Sequence, residues 1–245
     1  MSFDPRMALK LARLAELAYV QDEQQVAIKS DQLGLRMLKW SWQDQGNTHA
    51  GLWLGRDAVY VAFRGSNDQA DWRENFQFGS LPHGWGRVHG GFARALERVV
   101  YEMLACIAKT SAARAKPVWL TGHSLGGALA VLMASKCHMA GLPLGGLYTF
   151  GAPQTGDRSF VRAFNRAFAD QSWRLVNEGD FVPRLLAPRY QHVNALVMVD
   201  DNLKVVKRCP PGQRKACRMN RKKAQSLPPH AIAEYRRRLE DRAKA

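Results

Sequence analysis

Pro117-Val-Trp-Leu-Thr-Gly-His-Ser-Leu-Gly-Gly-Ala-Leu-Ala-Val131 decides the fold. Residues 117–121 form a short apolar run of the kind a buried strand needs, and from Leu125 to Met139 Ala and Leu recur at helical spacing. Between the two stands Gly122-His-Ser-Leu-Gly126, which fits G-x-S-x-G, with Gly127 directly after it. A residue at so sharp a strand-to-helix turn takes unfavourable backbone angles, and glycines two positions either side leave space for the turn against its neighbours. The segment therefore reads as strand, tight turn, helix, with the Ser124 hydroxyl held out into a cleft. The helix start behind it supplies partial positive charge and backbone amides suited to an oxyanion forming on a carbonyl under attack.

Outward from this turn, strands and helices alternate. Asp4-Pro5 is an N-cap followed by Pro at the first helical position, and Met7, Leu11, Leu14 and Ala18 repeat at helical spacing. Residues 35–42, 49–54 and 58–63 read as three strands separated by Gln-Gly-Asn and Gly-Arg-Asp turns. The stripe Phe92, Leu96, Val99, Val100, Met103, Leu104, Ile107 predicts a helix over 91–110. Downstream, strands are expected at 145–150, 172–176 and 195–199, helices at 157–168 and 231–242, and a strand remnant at 204–206. This is the order of an α/β domain with a mostly parallel central sheet flanked by helices on both faces. With 245 residues, 46% of them hydrophobic, the chain can bury a full core without disulfides or metals, and a single domain over 1–245 is expected. The longest apolar run, Ala128 to Ala134, is far below the roughly 18 residues that cross a bilayer. Asp4 and Lys10 interrupt the apolar stretch a secretory leader would need, so no leader is expected, leaving a cytoplasmic protein or one exported without a cleaved leader.

A serine hydroxyl needs a base within hydrogen-bond reach, itself oriented by a carboxylate, and on this turn the expected chain order is Ser, acid, His. His138 lies more than three turns along the helix that follows Ser124 and cannot fold back to it. His230, after Leu227-Pro-Pro229 at the opening of the last helix, can present its ring from a loop and is read as the base; His192 is the alternative. Asp180 directly follows a strand in Val176-Asn-Glu-Gly-Asp-Phe-Val-Pro183, where Gly179 permits a turn and Pro183 fixes the exit. It is read as the acid, with Asp200 the competitor; Asp157 reads as a helix N-cap. The second oxyanion donor is expected in Phe63-Arg-Gly-Ser-Asn67, where Gly65 lets the chain approach and the Ser66 amide can point at the oxyanion. Such chemistry calls for neither cofactor nor metal.

Several blocks then agree with one family. Val61-Ala-Phe-Arg-Gly-Ser66 with Asp71-Trp72, Val88-His-Gly-Gly-Phe92, the Gly122 to Gly127 turn, Tyr148-Thr-Phe-Gly-Ala-Pro153 with Gly156-Asp157, and Asn177 to Pro183 resemble the class 3, fungal-type lipases with their α/β-hydrolase fold. The resemblance spans about residues 50 to 240. It implies Ser124, Asp180 and His230 as a triad, Ser66 and Leu125 as oxyanion-hole residues, a structural role for His89, and fatty-acyl esters (triacylglycerol or mono- and diacylglycerol) as substrates. A phospholipase A-type or a feruloyl/aryl esterase is the alternative within the same chemistry. Residues 67–82 lie where that family carries its lid, and Trp72 and Phe76, four apart on one helix face, are candidate lid or substrate contacts.

The charge is uneven. Residues 204–245 hold 14 Lys and Arg against 3 Asp and Glu, within a whole-chain net charge of +15. A basic insertion or loop over 200–229 and Arg236 to Arg238 could meet polyanions, anionic lipid surfaces among them. No aromatics interleave with the basic run, which argues against stacking on single-stranded nucleic acid, and nothing implies an obligate protein partner. A non-catalytic polyanion-binding module is the competing class, and the intact triad candidates count against it. Cys106 and Cys137 sit in apolar helical patterns, whereas Cys209 and Cys217 flank a turn-rich segment and read either as a local disulfide or as two thiols.

Overall fold

The computed structural model describes residues 2–41, 48–66, 79–109, 115–186, 189–193, 195–199, 205–206 and 230–243. Its centre is an eight-stranded sheet of β1 (Arg36–Ser41), β2 (Ala50–Leu54), β3 (Val59–Phe63), β6 (Val118–His123), β7 (Leu144–Phe150), β8 (Ser172–Asn177), β9 (Ala195–Val199) and β10 (Val205–Val206), in that spatial order. β4 (Ser80–His83) and β5 (Gly86–His89) make a separate hairpin. From β3 through β9 all neighbours are parallel, and β1, β2 and β10 add antiparallel edges.

Alternation along the strands sends side chains to two cores. Val59, Val61, Phe63, Val118, Leu120 and Leu147 face α3 (Gly90–Lys109), α4 (Leu125–Met139) and α5 (Arg158–Ala167). Tyr60, Ala62, Tyr148, Phe150, Trp173 and Leu175 face α1 (Pro5–Leu17) and α6 (Ile232–Ala243) on the other side. Helices thus cover both faces, as an α/β-hydrolase sheet requires. α4 is buried on nearly every side from Gly126 to Ser135, the property of a helix apolar all round. Asp4 caps α1 by accepting from the Arg6 amide, with Pro5 at the first helical position.

Two features depart from the sequence reading. α2 (Glu23–Gln32) was not expected, because EQQVAIKSDQ has no apolar stripe and buries only Val26 and Ser30; Asp22 starts it by accepting from the Gln24 and Gln25 amides. The hairpin overlaps the end of the expected 67–82 lid, so Ser80 to Pro82 is strand, paired to residues 87–89. Trp72, Phe76, Asp200, Cys209, Cys217 and most of the basic loop lie outside the described residues. Among the described residues no helix is long and apolar enough to cross a membrane.

The turn after β6 fixes the architecture by close backbone contact. A Cβ on Gly122 would collide with the Gly126 carbonyl, and one on Gly126 with the carbonyl of Phe63 at the end of β3. Gly126→Ala is therefore expected to destabilise the protein by about 1–3 kcal/mol through overpacking. Gly79→Ala, which meets nothing within 4 Å, should stay within about 0.5 kcal/mol of wild type. Urea unfolding of the two variants checks the contrast.

Candidate active site

Ser124 has φ 56° and ψ −128° and is the one non-glycine residue at positive φ among the described residues. For a side chain bearing a Cβ this is a costly conformation, and the surroundings hold it. The Ser124 amide donates to the Phe150 carbonyl at 2.9 Å, and its own carbonyl accepts from Gly127 at 2.9 Å. Leu125 opens α4 directly behind it. On the other side, a Cβ on Gly65 would lie 3.0 Å from Ser124 Cβ and 2.7 Å from the His123 carbonyl, so the loop carrying Ser66 abuts the turn.

β8 leads to Asp180, read from the sequence as the acid. After Asn177 the chain turns through Gly179 at φ 91°, and the Asp180 amide donates to the Asn177 carbonyl at 3.1 Å. The Asp180 carboxylate is 1% exposed and fully engaged. Oδ1 accepts from the Val182 amide at 3.0 Å, while Oδ2 meets His230 Nδ1 at 2.9 Å and the Tyr235 hydroxyl at 2.7 Å. Burial, then the facing carboxylate, pushes the Tyr235 phenol well above its ordinary range, so it stays protonated and donates. The same hydroxyl accepts from the Asn177 amide at 2.9 Å, tying the end of β8 to α6.

Beneath Ser124 and the acid, Gly151 takes φ 58°, and a Cβ there would lie 2.6 Å from Asp180 Oδ2 and 3.0 Å from His230 Nδ1. Gly151 follows Phe150, whose carbonyl holds the Ser124 amide, so one glycine underlies both the turn and the carboxylate–imidazole pair. His123 closes the group: its ring lies 4.5 Å from that of His230, and its Nε2 meets the His230 carbonyl at 2.5 Å. Burial first, then the charge His230 can carry, holds His123 well below the ordinary histidine range, against the pull of its bond to the His230 carbonyl. His123 is thus a neutral imidazole in the fold.

Ser124, Ser66, Leu125, Asp180 and His230 accordingly share one end of the sheet. In this arrangement Nδ1 of His230 is engaged by the Asp180 carboxylate. His192, the alternative base, instead donates from Nε2 to the Pro183 carbonyl at 2.6 Å and braces the turn after Asp180. His138 stands edge-on to Trp85 and Phe168 on the far side of α4, and His89 is buried against Phe92 and Tyr190. Asp157 caps α5 by accepting from the Phe160 amide at 2.8 Å. Arg236, Arg237 and Arg238, read from sequence as polyanion contacts, pair within the protein with Glu16, Glu240, Glu234 and Asp241. Sequence reasoning missed Tyr19, His123 and Tyr235. Tyr235 could have been flagged by its place on the apolar face of the last helix with Leu239, since a buried phenol needs a partner; nothing local marks Tyr19 or His123.

Residues 60–190 match the family model for Lipase (class 3). A secreted mono- and diacylglycerol lipase from Fusarium solani is 36% identical over 154 residues, covering 59% of this chain and 45% of that protein. The chloroplastic phospholipase A(1) DAD1 of Arabidopsis thaliana is 28% identical over 154 residues, covering 54% of this chain and 34% of its own. This chain thus spans less than half the length of these curated relatives. The Rhizomucor miehei triacylglyceride lipase structure superposes with a TM-score of 0.74 at 21% identity, covering 94% of this chain and 91% of that one. The chain belongs to the class 3 lipase family and has its α/β-hydrolase fold.

Three histidines set an acid limit on stability. Burial holds His123 and His192 well below 6.5, and burial with Lys136 nearby brings His83 down to about 4. All three are neutral in the fold and charged in the unfolded chain below about 6.5, so the unfolded state binds more protons there. Stability should be level above that value with respect to these groups and fall as pH drops from about 6.5 towards 4. Thermal melting at pH 7.5 and pH 5 checks this; a melting temperature that does not fall contradicts it.

Proposed function

We propose that this class 3 lipase hydrolyses fatty-acyl esters of glycerol through an acyl-enzyme on Ser124, with His230 as base and Asp180 as its orienting carboxylate. The observation that carries the reading is the 2.9 Å contact between His230 Nδ1 and a buried Asp180 carboxylate, set beside the strained Ser124. In the first half-reaction Ser124 Oγ bonds to the acyl carbon while His230 Nε2 takes the hydroxyl proton. The carbon–oxygen bond to glycerol then breaks, and His230 returns that proton to the leaving alcohol. Water attacks the acyl-enzyme, gives its proton to His230, and the proton passes back to Ser124 as the fatty acid leaves. Asp180 keeps the imidazole in the required tautomer and stabilises the imidazolium. The backbone amides of Ser66 and Leu125 are assigned to the oxyanion.

The mono- and diacylglycerol lipase from Fusarium solani supports partial glycerides as substrates. The plant phospholipase A(1) supports the runner-up, in which a glycerophospholipid occupies the same site and the basic 204–223 segment draws the enzyme to anionic bilayers. Both readings share every proton transfer.

Ser124→Ala is expected to lower kcat/KM on p-nitrophenyl esters by about 10⁴-fold or more, with little change in melting temperature. An organophosphonate should label wild type at Ser124 and leave the variant unlabelled. Equal turnover by the two proteins, or labelling elsewhere, would sink the assignment. Hydrolysis of diacylglycerol faster than of phosphatidylcholine supports the glyceride reading, and the reverse order supports the phospholipase.

A further inference from the structure

Tyr19, just past the end of α1, joins three parts of the site. Its hydroxyl lies 2.7 Å from His123 Nδ1, and their rings are 5.8 Å apart. Gly65, in the loop that carries Ser66, packs directly against the phenol oxygen. Only glycine fits there, because a Cβ on Gly65 would collide with that oxygen. The protons of this chain are determined by its far end. The His230 carbonyl can only accept, so His123 Nε2 carries the ring proton and donates. His123 is neutral, so its Nδ1 is then an acceptor and Tyr19 must be the donor. Burial pushes the phenol far above its ordinary range, which keeps that donor protonated.

We propose that Tyr19 is a positioning residue for the reaction: its hydroxyl satisfies the bare Nδ1 of His123, stabilising the tautomer that holds the backbone of His230, and it packs against the loop that carries Ser66. This rests on the assignment of Ser124, His230 and Asp180 given above. The reason lies in what Asp180 leaves undone. A bond to Nδ1 sets the direction of the His230 ring but not the place of its backbone, and residue 230 precedes the helix. The first carbonyl in the α6 ladder is that of Ala231, which accepts from Glu234 and Tyr235. The His230 carbonyl goes instead to His123. With the opposite His123 tautomer, an Nε2 lone pair would face that carbonyl at 2.5 Å and repel it. By donating to Nδ1, Tyr19 stabilises the tautomer that the His230 carbonyl requires. The same oxygen packs against Gly65, so the base and the loop carrying Ser66 are placed by one side chain.

Tyr19→Phe removes the hydroxyl and little else. On p-nitrophenyl esters it is expected to lower kcat about tenfold at unchanged KM and similar melting temperature. His123→Leu should lose at least as much, and Tyr19→Phe added to it should cost little more, because the two act in one chain. His123→Gln, whose amide offers an acceptor and a donor together, should recover most of what His123→Leu loses. Nitrogen-15 NMR of histidine-labelled wild type should show the His123 imidazole, identified by the signal missing from His123→Gln, with Nε2 protonated and Nδ1 bare, a state weakened in Tyr19→Phe. A wild-type rate in Tyr19→Phe, no rescue by His123→Gln, or the opposite His123 tautomer in wild type overturns the proposal. Wild type that neither hydrolyses esters nor labels at Ser124 would overturn the functional assignment instead, while the NMR result would still report on the Tyr19–His123 contact.

Discussion

The approach of two backbones at the Ser124 turn is the constraint from which the rest of the site follows. Gly126 lies so close to the carbonyl ending β3 that no side chain fits between them. That contact draws the start of α4 onto the β3 end and brings the loop after β3 against Ser124. It also holds the serine at a φ that a residue with a Cβ avoids. The same approach thus produces the strained Ser124 and places the proposed oxyanion amides on either side of it. Preorganisation of this kind costs stability in the turn and leaves little reorganisation for the moment of reaction.

The remaining parts come from the two ends of the described chain. α1 and α6 pack together on one face of the sheet, joined by Arg13 with Glu240 and Arg236 with Glu16. These pairs are partly exposed and each adds little by itself; the apolar contact of Leu11, Leu14, Tyr235 and Leu239 does more. Its consequence is that Tyr19, just after one helix, and His230 and Tyr235, just before and within the other, converge on the sheet end where β6 and β8 place Ser124 and Asp180. The arginines of α6 are largely neutralised in this packing, which leaves the basic character of the C-terminal region to residues 204–223.

Where a local pattern forces a geometry, the sequence was enough. G-x-S-x-G between an apolar run and an apolar helix reads as strand, tight turn and helix, and the structure has β6, a positive-φ Ser124 and α4 there; Asp180 and His230, chosen because loops at strand ends carry chemistry, lie 2.9 Å apart. The strands and helices with a clear period were placed within a few residues. α2 was illegible because a capped helix with two buried residues has no stripe to read. The β4–β5 hairpin was illegible because His83, Gly84, Trp85 and Gly86 carry no alternation, and its closure depends on Phe160 and Ser135 from distant helices. Tyr19 and His123 lie 104 residues apart, and their relation exists only once α1 has packed against β6.

The buried polar groups explain one another as a set. A carboxylate with 1% exposure is costly unless each oxygen finds donors, and Asp180 has three, from Val182, His230 and Tyr235. Two of these donors are themselves held: Tyr235 accepts from the Asn177 amide, and His230 is tied through its carbonyl to His123. A network satisfied at every member rigidifies its surroundings, whereas one missing partner leaves a buried group exposed to the full desolvation penalty. The charge that His230 acquires on taking a proton is thus set between an acceptor carboxylate and an imidazole that burial keeps neutral. In the proposed reaction proton transfer is directed to one ring, and His123, next to Ser124 in sequence, is the residue proposed to place that ring.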